Sequence, residues 1–461
     1  MTKLRLAAAG VNQTPLAWES NRQNLLTAIN AAREANATVL CLPELCLTGY
    51  GCEDAFFANG VQQTALQILL EIVPETTGII TTFGLPLLWE DQLFNVMAVC
   101  CDGVLAGFVG KQNLAGDGIH YEPRWFKPWP RDEVREVVVD GNRVPCGDLL
   151  FDCGGVKIGL EICRDAWVAD RPGSRLAARG ADIILNPSAS HFAFAKQEIR
   201  REFVLRGSRD YAVSYAYSNL LGNESGRAIF DGGTLIATRG DMVAVGPRLS
   251  FADWVLATAD IDTKATRLDR NWSTAAATQS GEPGGATIGC DFSFPQLSSA
   301  REPTKAASWD TSPPAKAEEF AHAVPLALFD YLRKSHAGGL VVSLSGGADS
   351  AAVATMIWLM VELGVADIGR AAFLQKLSHI PEIDDVETNA DIVRRLLTCV
   401  YQATRNSGEV TRNAASAVAD AIGAEFLEWN IDTLVDGYVD TVSQAVKRPL
   451  TWEQDDVALQ N

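Results

Sequence analysis

Three polar residues follow apolar runs of this sequence, and together they carry the side chains of a thiol amidase. Glu44 follows TVLCLP, Lys111 follows VLAGFVG and Cys163 follows VKIGLEI. A carboxylate can accept the proton of a thiol, and the thiolate can then attack a carboxamide carbon. An ammonium group stabilises the negative charge that develops on the carbonyl oxygen. These residue types predict amide hydrolysis through a thioester, with release of ammonia. Taken singly, a Cys is more often a core residue, and a Glu or Lys is more often a surface charge.

A second feature with chemical potential is the glycine-rich segment SGGADS, which lies between an apolar run and a helical pattern. A strand, a turn and a helix in this order place backbone N–H groups and a helix N-terminus where phosphate oxygens bind. The loop has no Lys, so it is neither a Walker A loop nor a dinucleotide fingerprint. Asp349 is a candidate for binding magnesium or capping the helix. The pattern predicts a phosphate-binding loop in this segment.

The elements that must position these residues alternate along the chain, which predicts an α/β or α+β fold. Short β-rich runs such as LRLAAAGV alternate with helical stretches such as NRQNLLTAINAAREA up to about Ile261. We predict a first domain over residues 1–266. A connector rich in Ser, Thr, Ala, Gly and Pro follows at 267–317, and a second α/β domain at 318–461.

Composition narrows the possible partners and the location of the protein. The chain has 461 residues, and its formal net charge of −18 argues against nucleic-acid binding. We find no signal peptide and no apolar stretch that approaches membrane-spanning length, so we expect no membrane partner. Ten cysteines without a CxxC motif suit a reducing, cytoplasmic environment.

The first half of the chain resembles the nitrilase, or carbon-nitrogen hydrolase, superfamily with its Glu-Lys-Cys triad. The resemblance covers roughly residues 3–270 and rests on LPELCLTGYG, GKQNLAGDGIHYEPRWF, GLEICRDAW and GADIILNPSASHF. It implies an αββα four-layer sandwich and a supporting role for Glu122 beside the lysine. It also implies that glutamine contacts Tyr121, Ser190 and Lys196. A papain-like mechanism with His120 or His191 as base is the rival hypothesis within this domain.

SGGADS resembles the pyrophosphate loop of the ATP pyrophosphatases, which implies a partial Rossmann-like adenine-nucleotide hydrolase domain. The same resemblance implies that ATP contacts Ser343, Leu344, Ser345, Gly346, Gly347, Ala348, Asp349 and Ser350. A nitrilase-type glutaminase placed ahead of this loop resembles the glutamine-dependent NAD synthetase family. That resemblance implies L-glutamine, ATP and deamido-NAD as substrates, Mg²⁺ as activator, no tightly bound organic cofactor and a homo-oligomer. It also implies a deamido-NAD contact at Asn461. The segment TRNSGEVTR, with Arg405 and Arg412, resembles part of the nucleotide-binding domain, with a solvated basic helix face as the alternative.

The sequence ends inside a motif that continues in that family. We therefore expect a shortened synthetase domain, and a chain that keeps only the glutaminase activity and makes no NAD. Two other hypotheses remain open at this stage. One is a stand-alone amidase with a remnant nucleotide-binding domain, and the other is a nucleotide-binding regulator without catalysis.

Overall fold

Two large β-sheets build the first of two compact units in the computed structural model of the chain. This unit comprises Met1–Tyr331, and the second comprises Leu332–Asn461. The structure describes residues 3–224, 226–272, 284–297, 301–311, 315–451 and 453–455.

The larger sheet has eight strands in the order β16-β1-β2-β3-β4-β5-β7-β6. It mixes parallel and antiparallel pairs, because β2 runs parallel to β1 and β3 while β4 runs antiparallel to β3 and β5. Its strands are β1 (Lys3–Val11), β2 (Val39–Cys41), β3 (Ile80–Trp89), β4 (Gln92–Cys101), β5 (Val104–Gly110), β6 (Val134–Val139), β7 (Asn142–Gly147) and β16 (Trp254–Asp262).

The second sheet has seven strands in the order β15-β14-β11-β10-β9-β8-β17. These strands are β8 (Leu149–Cys153), β9 (Val156–Leu160), β10 (Ile183–Ser188), β11 (Ser214–Asn219), β14 (Thr234–Thr238), β15 (Asp241–Val245) and β17 (Ala286–Cys290). A separate antiparallel pair joins β12 (Leu221–Glu224) to β13 (Ala228–Asp231).

Helices cover the outer face of each sheet, and the alternation of side chains along the strands explains the layers. In β1, Ala7 and Ala9 belong to a core cluster shared with helices α1 and α2, whereas Leu6 and Ala8 face the cluster between the sheets. A third cluster packs α4 and α5 on the second sheet. The helices of this unit are α1 (Trp18–Glu34), α2 (Asn59–Ile72), α3 (Glu122–Trp125), α4 (Pro172–Ala178), α5 (Lys196–Asp210) and α6 (Thr263–Trp272). The predicted αββα sandwich is confirmed.

The second unit contains a parallel three-stranded sheet in the order β18-β19-β20. Helix α7 (Ala315–Ser335) contains the division between the two units. The elements that follow are β18 (Leu340–Ser343), α8 (Ala348–Ile368), α9 (Arg370–Lys376), α10 (Asn389–Leu396), β19 (Leu397–Ala403), α11 (Glu409–Ile422), β20 (Glu425–Asn430) and α12 (Asp432–Val446). The alternation of parallel strands and helices agrees with the predicted α/β class of this part.

Helix α8 and strand β17 bear on two sequence-based expectations. Helix α8 is long and apolar enough to cross a membrane by length and composition, so the expectation that no stretch approaches that length is wrong. A single helix of this kind is weak evidence for a membrane, because core helices of soluble proteins pass the same test. Within the predicted connector, β17 forms a strand and pairs in parallel with β8. The predicted domain limits at 266 and 317 stay predictions.

Candidate active site

Lys111 holds together the two glutamates that sequence reasoning selected. Its Nζ atom lies 2.5 Å from Oε1 of Glu44 and 2.7 Å from Oε1 of Glu122, and all three side chains are buried. Burial opposes a charge on Lys111, but attraction by Glu122 and Glu44 outweighs burial and raises its pKa. Burial and repulsion by Glu44 raise the pKa of Glu122. Attraction by Lys111 lowers it, but offsets only part of the increase. The structure therefore places a charged lysine between two carboxyl groups, away from water.

Neighbouring amides fix the orientation of both carboxyl groups. Asn95 donates its Nδ2 hydrogen to Oε1 of Glu44 over 2.7 Å, and the N–H of Ala189 donates to Oε2 of Glu44 over 3.0 Å. The N–H of Ala115 donates to Oε2 of Glu122 over 3.0 Å. Sequence reasoning missed Asn95, which lies inside strand β4 and belongs to no recognised motif. Only the pairing of β4 in the sheet brings it to Glu44.

Cys163 begins a short 3-10 helix, Cys163–Trp167, just after strand β9. Its φ angle of 45° lies in the left-handed region, where a non-glycine residue costs on the order of 1–3 kcal/mol. Burial and the charge of Glu44 raise the pKa of its thiol to about 12, although Lys111 acts in the opposite direction. The thiol is therefore neutral at rest, and the charges of Glu44 and Lys111 shift its pKa in opposite directions.

Asp165 ties the turn of Cys163 to the segment after Lys111. Its Oδ1 atom accepts hydrogen bonds from the backbone N–H of Asn113 over 2.8 Å and from Nδ2 of Asn113 over 2.9 Å. Its Oδ2 atom accepts from the N–H of Ile162 over 3.1 Å. Burial raises the pKa of Asp165 to about 7, with Asn113 reducing the effect. Sequence reasoning missed this residue, although its place two residues after the cysteine was a usable signal.

A pocket opens over Cys163, and several polar side chains point into it. It contains two of the predicted glutamine-binding residues, Ser190 and Lys196. Its lining residues are Ala115, Asp117, His120, Cys163, Arg164, Trp167, Ser190, His191 and Lys196. An anionic group of a small substrate would meet the cations of Lys196 and Arg164 here.

Neighbouring side chains hold Lys196 and Ser190 in this pocket. Nζ of Lys196 lies 3.4 Å from Nε2 of His191, and burial lowers the pKa of Lys196 to about 8. Nη2 of Arg200 donates to Oγ of Ser190 over 3.1 Å and to its carbonyl oxygen over 2.8 Å. Arg200 in turn forms a fully buried ion pair with Asp231. Arg200 therefore fixes the position of the Ser190 backbone.

Tyr121, the other predicted glutamine contact, lies outside the pocket around Cys163. Its side chain is 49% exposed and lines an adjacent cavity, where the guanidinium of Arg227 lies 5.7 Å from its ring. Tyr50 instead contacts Glu122, the second carboxylate beside Lys111. Its hydroxyl group donates to Oε1 of Glu122 over 2.8 Å and lies 2.8 Å from Nδ1 of His120. Sequence reasoning missed Tyr50, although it lies in LPELCLTGYG, the motif that contains Glu44.

The two histidines of the rival papain-like hypothesis form a chain with Tyr50. Nε2 of His120 lies 2.9 Å from Nδ1 of His191. Burial, together with nearby cations, lowers the pKa of His120 to about 3 and that of His191 to about 4. Both imidazoles are therefore neutral near pH 7. Such weak bases are poor acceptors for a thiol proton, which argues against the papain-like hypothesis.

In the second unit, the SGGADS segment forms the turn from β18 into α8. Gly346 has a φ angle of 80°, and a Cβ atom there would lie 2.2 Å from the carbonyl oxygen of Thr411. The Oγ atoms of Ser345 and Ser350 lie 3.1 Å apart, and Oγ of Ser345 accepts a hydrogen bond from the N–H of Gly347 over 3.3 Å. The predicted ATP-contacting segment is thus a compact loop that only glycine can close at Gly346.

The remaining predicted nucleotide contacts are placed as follows. Asp349 is exposed in the first turn of α8. Arg405 pairs with Asp432 and Asp436, and Arg412 pairs with Glu428. Asn461 lies outside the residues that the structure describes. Roles for these four residues remain predictions.

Comparison with known proteins agrees with the layout of both units. Residues 5–271 match the family model for carbon-nitrogen hydrolases, and residues 321–458 match that for NAD synthase. The crystal structure of a glutamine-dependent NAD(+) synthetase from Cytophaga hutchinsonii superposes with a TM-score of 0.83. It is 38% identical, and the match covers 100% of this chain and 70% of that one.

Two curated relatives carry the same name. The glutamine-dependent NAD(+) synthetase of Oryza sativa is 29% identical over 97% of this chain and 63% of its own length. That of Saccharomyces cerevisiae is 30% identical over 97% of this chain and 66% of its own length. This chain therefore spans about two thirds of the length of these relatives.

The fold and the two family matches thus define a carbon-nitrogen hydrolase domain ahead of an NAD synthase domain. The chain belongs to the family of glutamine-dependent NAD(+) synthetases, a family of ligases. The expectation that only the glutaminase part is represented is not supported, because the NAD synthase model matches most of the second unit.

Proposed function

We propose that this protein hydrolyses L-glutamine at Cys163 and uses the ammonia to convert adenylated deamido-NAD to NAD. The observation that supports this most strongly is the buried contact of Lys111 with Glu44 and Glu122, next to a pocket that contains Cys163. An ion pair with only a structural role would not need a cysteine with a strained backbone in the adjacent pocket. The combination instead suits nucleophilic attack on an uncharged amide.

The proposed chemistry begins with a neutral thiol, because burial keeps the pKa of Cys163 high. Glu44 accepts the thiol proton as sulfur bonds to the amide carbon of glutamine. Lys111 stays protonated and stabilises the oxyanion, an effect of order 3 kcal/mol per donor. Glu44 then returns the proton to the departing nitrogen, which leaves as ammonia. Glu44 then deprotonates a water molecule, which attacks the thioester carbon. Glutamate is released as the Cys163 thiolate leaves and takes the proton back from Glu44.

We assign the recognition of glutamine to the charged end of the pocket. The ammonium group of Lys196 and the hydroxyl group of Ser190 would bind the α-carboxylate. Asp117, which pairs with Arg164 over 2.7 Å, offers a carboxylate for the α-ammonium group. Because the pKa of Lys196 is about 8, KM for glutamine should rise above that pH. A neutral amide such as acetamide should show no such rise.

We assign adenylation to the loop between β18 and α8. Its backbone N–H groups and the hydroxyl groups of Ser345 and Ser350 would bind the phosphates of ATP. Asp349 offers the carboxylate oxygen that Mg²⁺ takes alongside substrate phosphates. Mg²⁺ would neutralise the pyrophosphate leaving group as AMP is transferred to the carboxylate of deamido-NAD.

A direct test compares Cys163→Ala with Cys146→Ala, which removes a buried thiol from strand β7. Ammonia release from glutamine should be abolished in the first variant and unchanged in the second. ATP–pyrophosphate exchange in the presence of deamido-NAD should survive in both. Retained glutamine hydrolysis in Cys163→Ala would disprove the assignment of the nucleophile. Equal turnover of several unrelated amides would favour a stand-alone amidase.

A further inference from the structure

A cluster of three cysteines lies in the first unit, at the ends of three strands. Cys101 is the last residue of β4, Cys153 of β8 and Cys290 of β17. Their sulfur atoms all lie within 4.8 Å of one another. Cys153 and Cys290 are register partners in the second sheet, whereas Cys101 belongs to the eight-stranded sheet. The cluster therefore joins the two sheets of the sandwich.

The surroundings of this cluster favour sulfur ligation of a cation. Cys153 is fully buried, Cys101 is 4% exposed and Cys290 is partly exposed. Phe292 and Phe294 belong to the apolar surroundings of the cluster. Metal ions bind the deprotonated thiolate, so binding releases the thiol protons.

The chemistry of three converging thiolates selects among metals. Thiolate ligands prefer soft or borderline ions, and zinc binds them tetrahedrally with Zn–S distances of about 2.3 Å. Tetrahedral angles at that bond length place sulfur atoms roughly 3.8 Å apart. The three sulfur atoms lie within 4.8 Å of one another, a limit that includes this value. The partial exposure of Cys290 gives the ion an entry path, and a tetrahedral ion would take its fourth ligand from solvent.

We propose that Cys101, Cys153 and Cys290 bind a zinc ion that joins strand β17 to both sheets of the sandwich. Strand β17 is an edge strand, and it pairs only with β8 among the described strands. Its end is already held by the N–H of Gly154, which donates to the carbonyl oxygen of Cys290 over 3.2 Å. None of the three cysteines lines the pocket around Cys163, so we assign the ion a structural role.

Zinc content tests this proposal in the full chain, with Cys163→Ala as the background so that the nucleophile takes no metal. The reduced, chelator-treated protein is given Zn²⁺ or Co²⁺, passed through a desalting column and assayed for bound metal. We expect about one equivalent per chain, with the thiolate-to-cobalt charge-transfer absorption of the Co²⁺ form. Cys290→Ser should weaken the affinity at least tenfold. Cys100→Ser, a matched control at the adjacent position of β4, should leave it unchanged.

A second measurement guards against variants that fold poorly. Zinc should raise the midpoint of thermal unfolding of the parent chain but not that of Cys290→Ser, whose edge-strand position tolerates the change best. Metal binding that is equal in the parent and in Cys290→Ser would overturn the proposal. So would failure of the reduced parent to retain any metal. A disulfide between two of these cysteines in the isolated protein, with no metal uptake after reduction, would also overturn it and indicate a redox role instead.

Discussion

The hydroxyl group of Tyr50 lies 2.8 Å from Oε1 of Glu122 and donates a hydrogen bond to it. The same hydroxyl lies 2.8 Å from Nδ1 of His120. Since the Tyr50 hydrogen is directed at the carboxylate, Nδ1 of His120 is the donor to the tyrosine oxygen, and its Nε2 accepts from His191. A chain of hydrogen bonds thus leads from the pocket to the carboxyl group that holds Lys111.

Tyr50→Phe tests whether this chain positions Glu122 and Lys111. A hydrogen bond to a charged group contributes about 1.5–3 kcal/mol, so kcat for glutamine hydrolysis should fall roughly 10- to 100-fold. KM should change little, because Tyr50 lies outside the lining of the Cys163 pocket. Tyr121→Phe, which alters an exposed neighbour in the sequence, should retain parental activity. Equal effects of the two substitutions would contradict a positioning role for Tyr50.

Charge balance around Lys111 predicts a large effect on stability. Lys111→Met leaves two buried carboxyl groups without their cation, and removal of one partner of a buried pair costs about 3–5 kcal/mol. Combining it with Glu44→Gln and Glu122→Gln should recover much of this loss, while hydrolysis stays absent. Urea unfolding measures both, with Lys127→Met as a surface control. A triple variant no more stable than Lys111→Met would rule out the electrostatic explanation.

The neutral histidines of the pocket predict a loss of stability in acid. The pKa of His120 is lowered from 6.5 to about 3, and that of His191 from 6.5 to about 4. The unfolded chain therefore binds protons more readily below pH 6.5. The contribution of neutral His120 to stability is complete above that pH and is lost as the pH falls towards 3. Lys196, Lys111 and Arg164 add to the effect, because their charges repel an imidazolium at this position.

His120→Asn should accordingly flatten the dependence of unfolding free energy on pH between 7 and 4, by about 1–3 kcal/mol. His336→Gln, at an exposed position, should leave that dependence unchanged. Equal slopes for the parent and His120→Asn would show that His120 is not held neutral by its surroundings. Hydrolysis should persist in His120→Asn at a reduced rate, in contrast to the loss expected for a catalytic base.

Short-range sequence patterns predicted the triad because each member follows an apolar run at the end of a strand. The contacts that complete the site could not be predicted in this way. Asn95 is 51 positions from its partner Glu44, and strand pairing brings them together. Tyr50, whose hydroxyl group contacts Glu122, was not predicted, whereas the glutamine contact expected at Tyr121 stays a prediction. The chain enters α3 at Tyr121, whose side chain is 49% exposed.

The predicted connector shows the same limit at the level of the fold. Its Ser, Gly and Pro content predicted a connector partly ordered against one domain, but could not show that ATIGC forms β17 on β8, its parallel partner along five residues. Amino-acid composition indicates local conformational preference, but not whether a distant strand edge is available for pairing. The three-cysteine cluster depends on that pairing, which is why sequence spacing gave no sign of it.

Gly346→Ala should disable the phosphate-binding loop with little effect on the first unit. A Cβ atom at this position would lie 2.2 Å from the carbonyl oxygen of Thr411, and its φ angle of 80° disfavours any other residue. Strain of this kind costs on the order of 1–3 kcal/mol before the clash is added, so ATP affinity should fall at least tenfold. Gly347→Ala is the matched control, because its Cβ would meet only Oγ of Ser345, at 3.3 Å. Calorimetric titration with ATP measures both variants, and ammonia release from glutamine checks that the amidase site is intact. If Gly346→Ala bound ATP as the parent does, the SGGADS loop would not be the phosphate site.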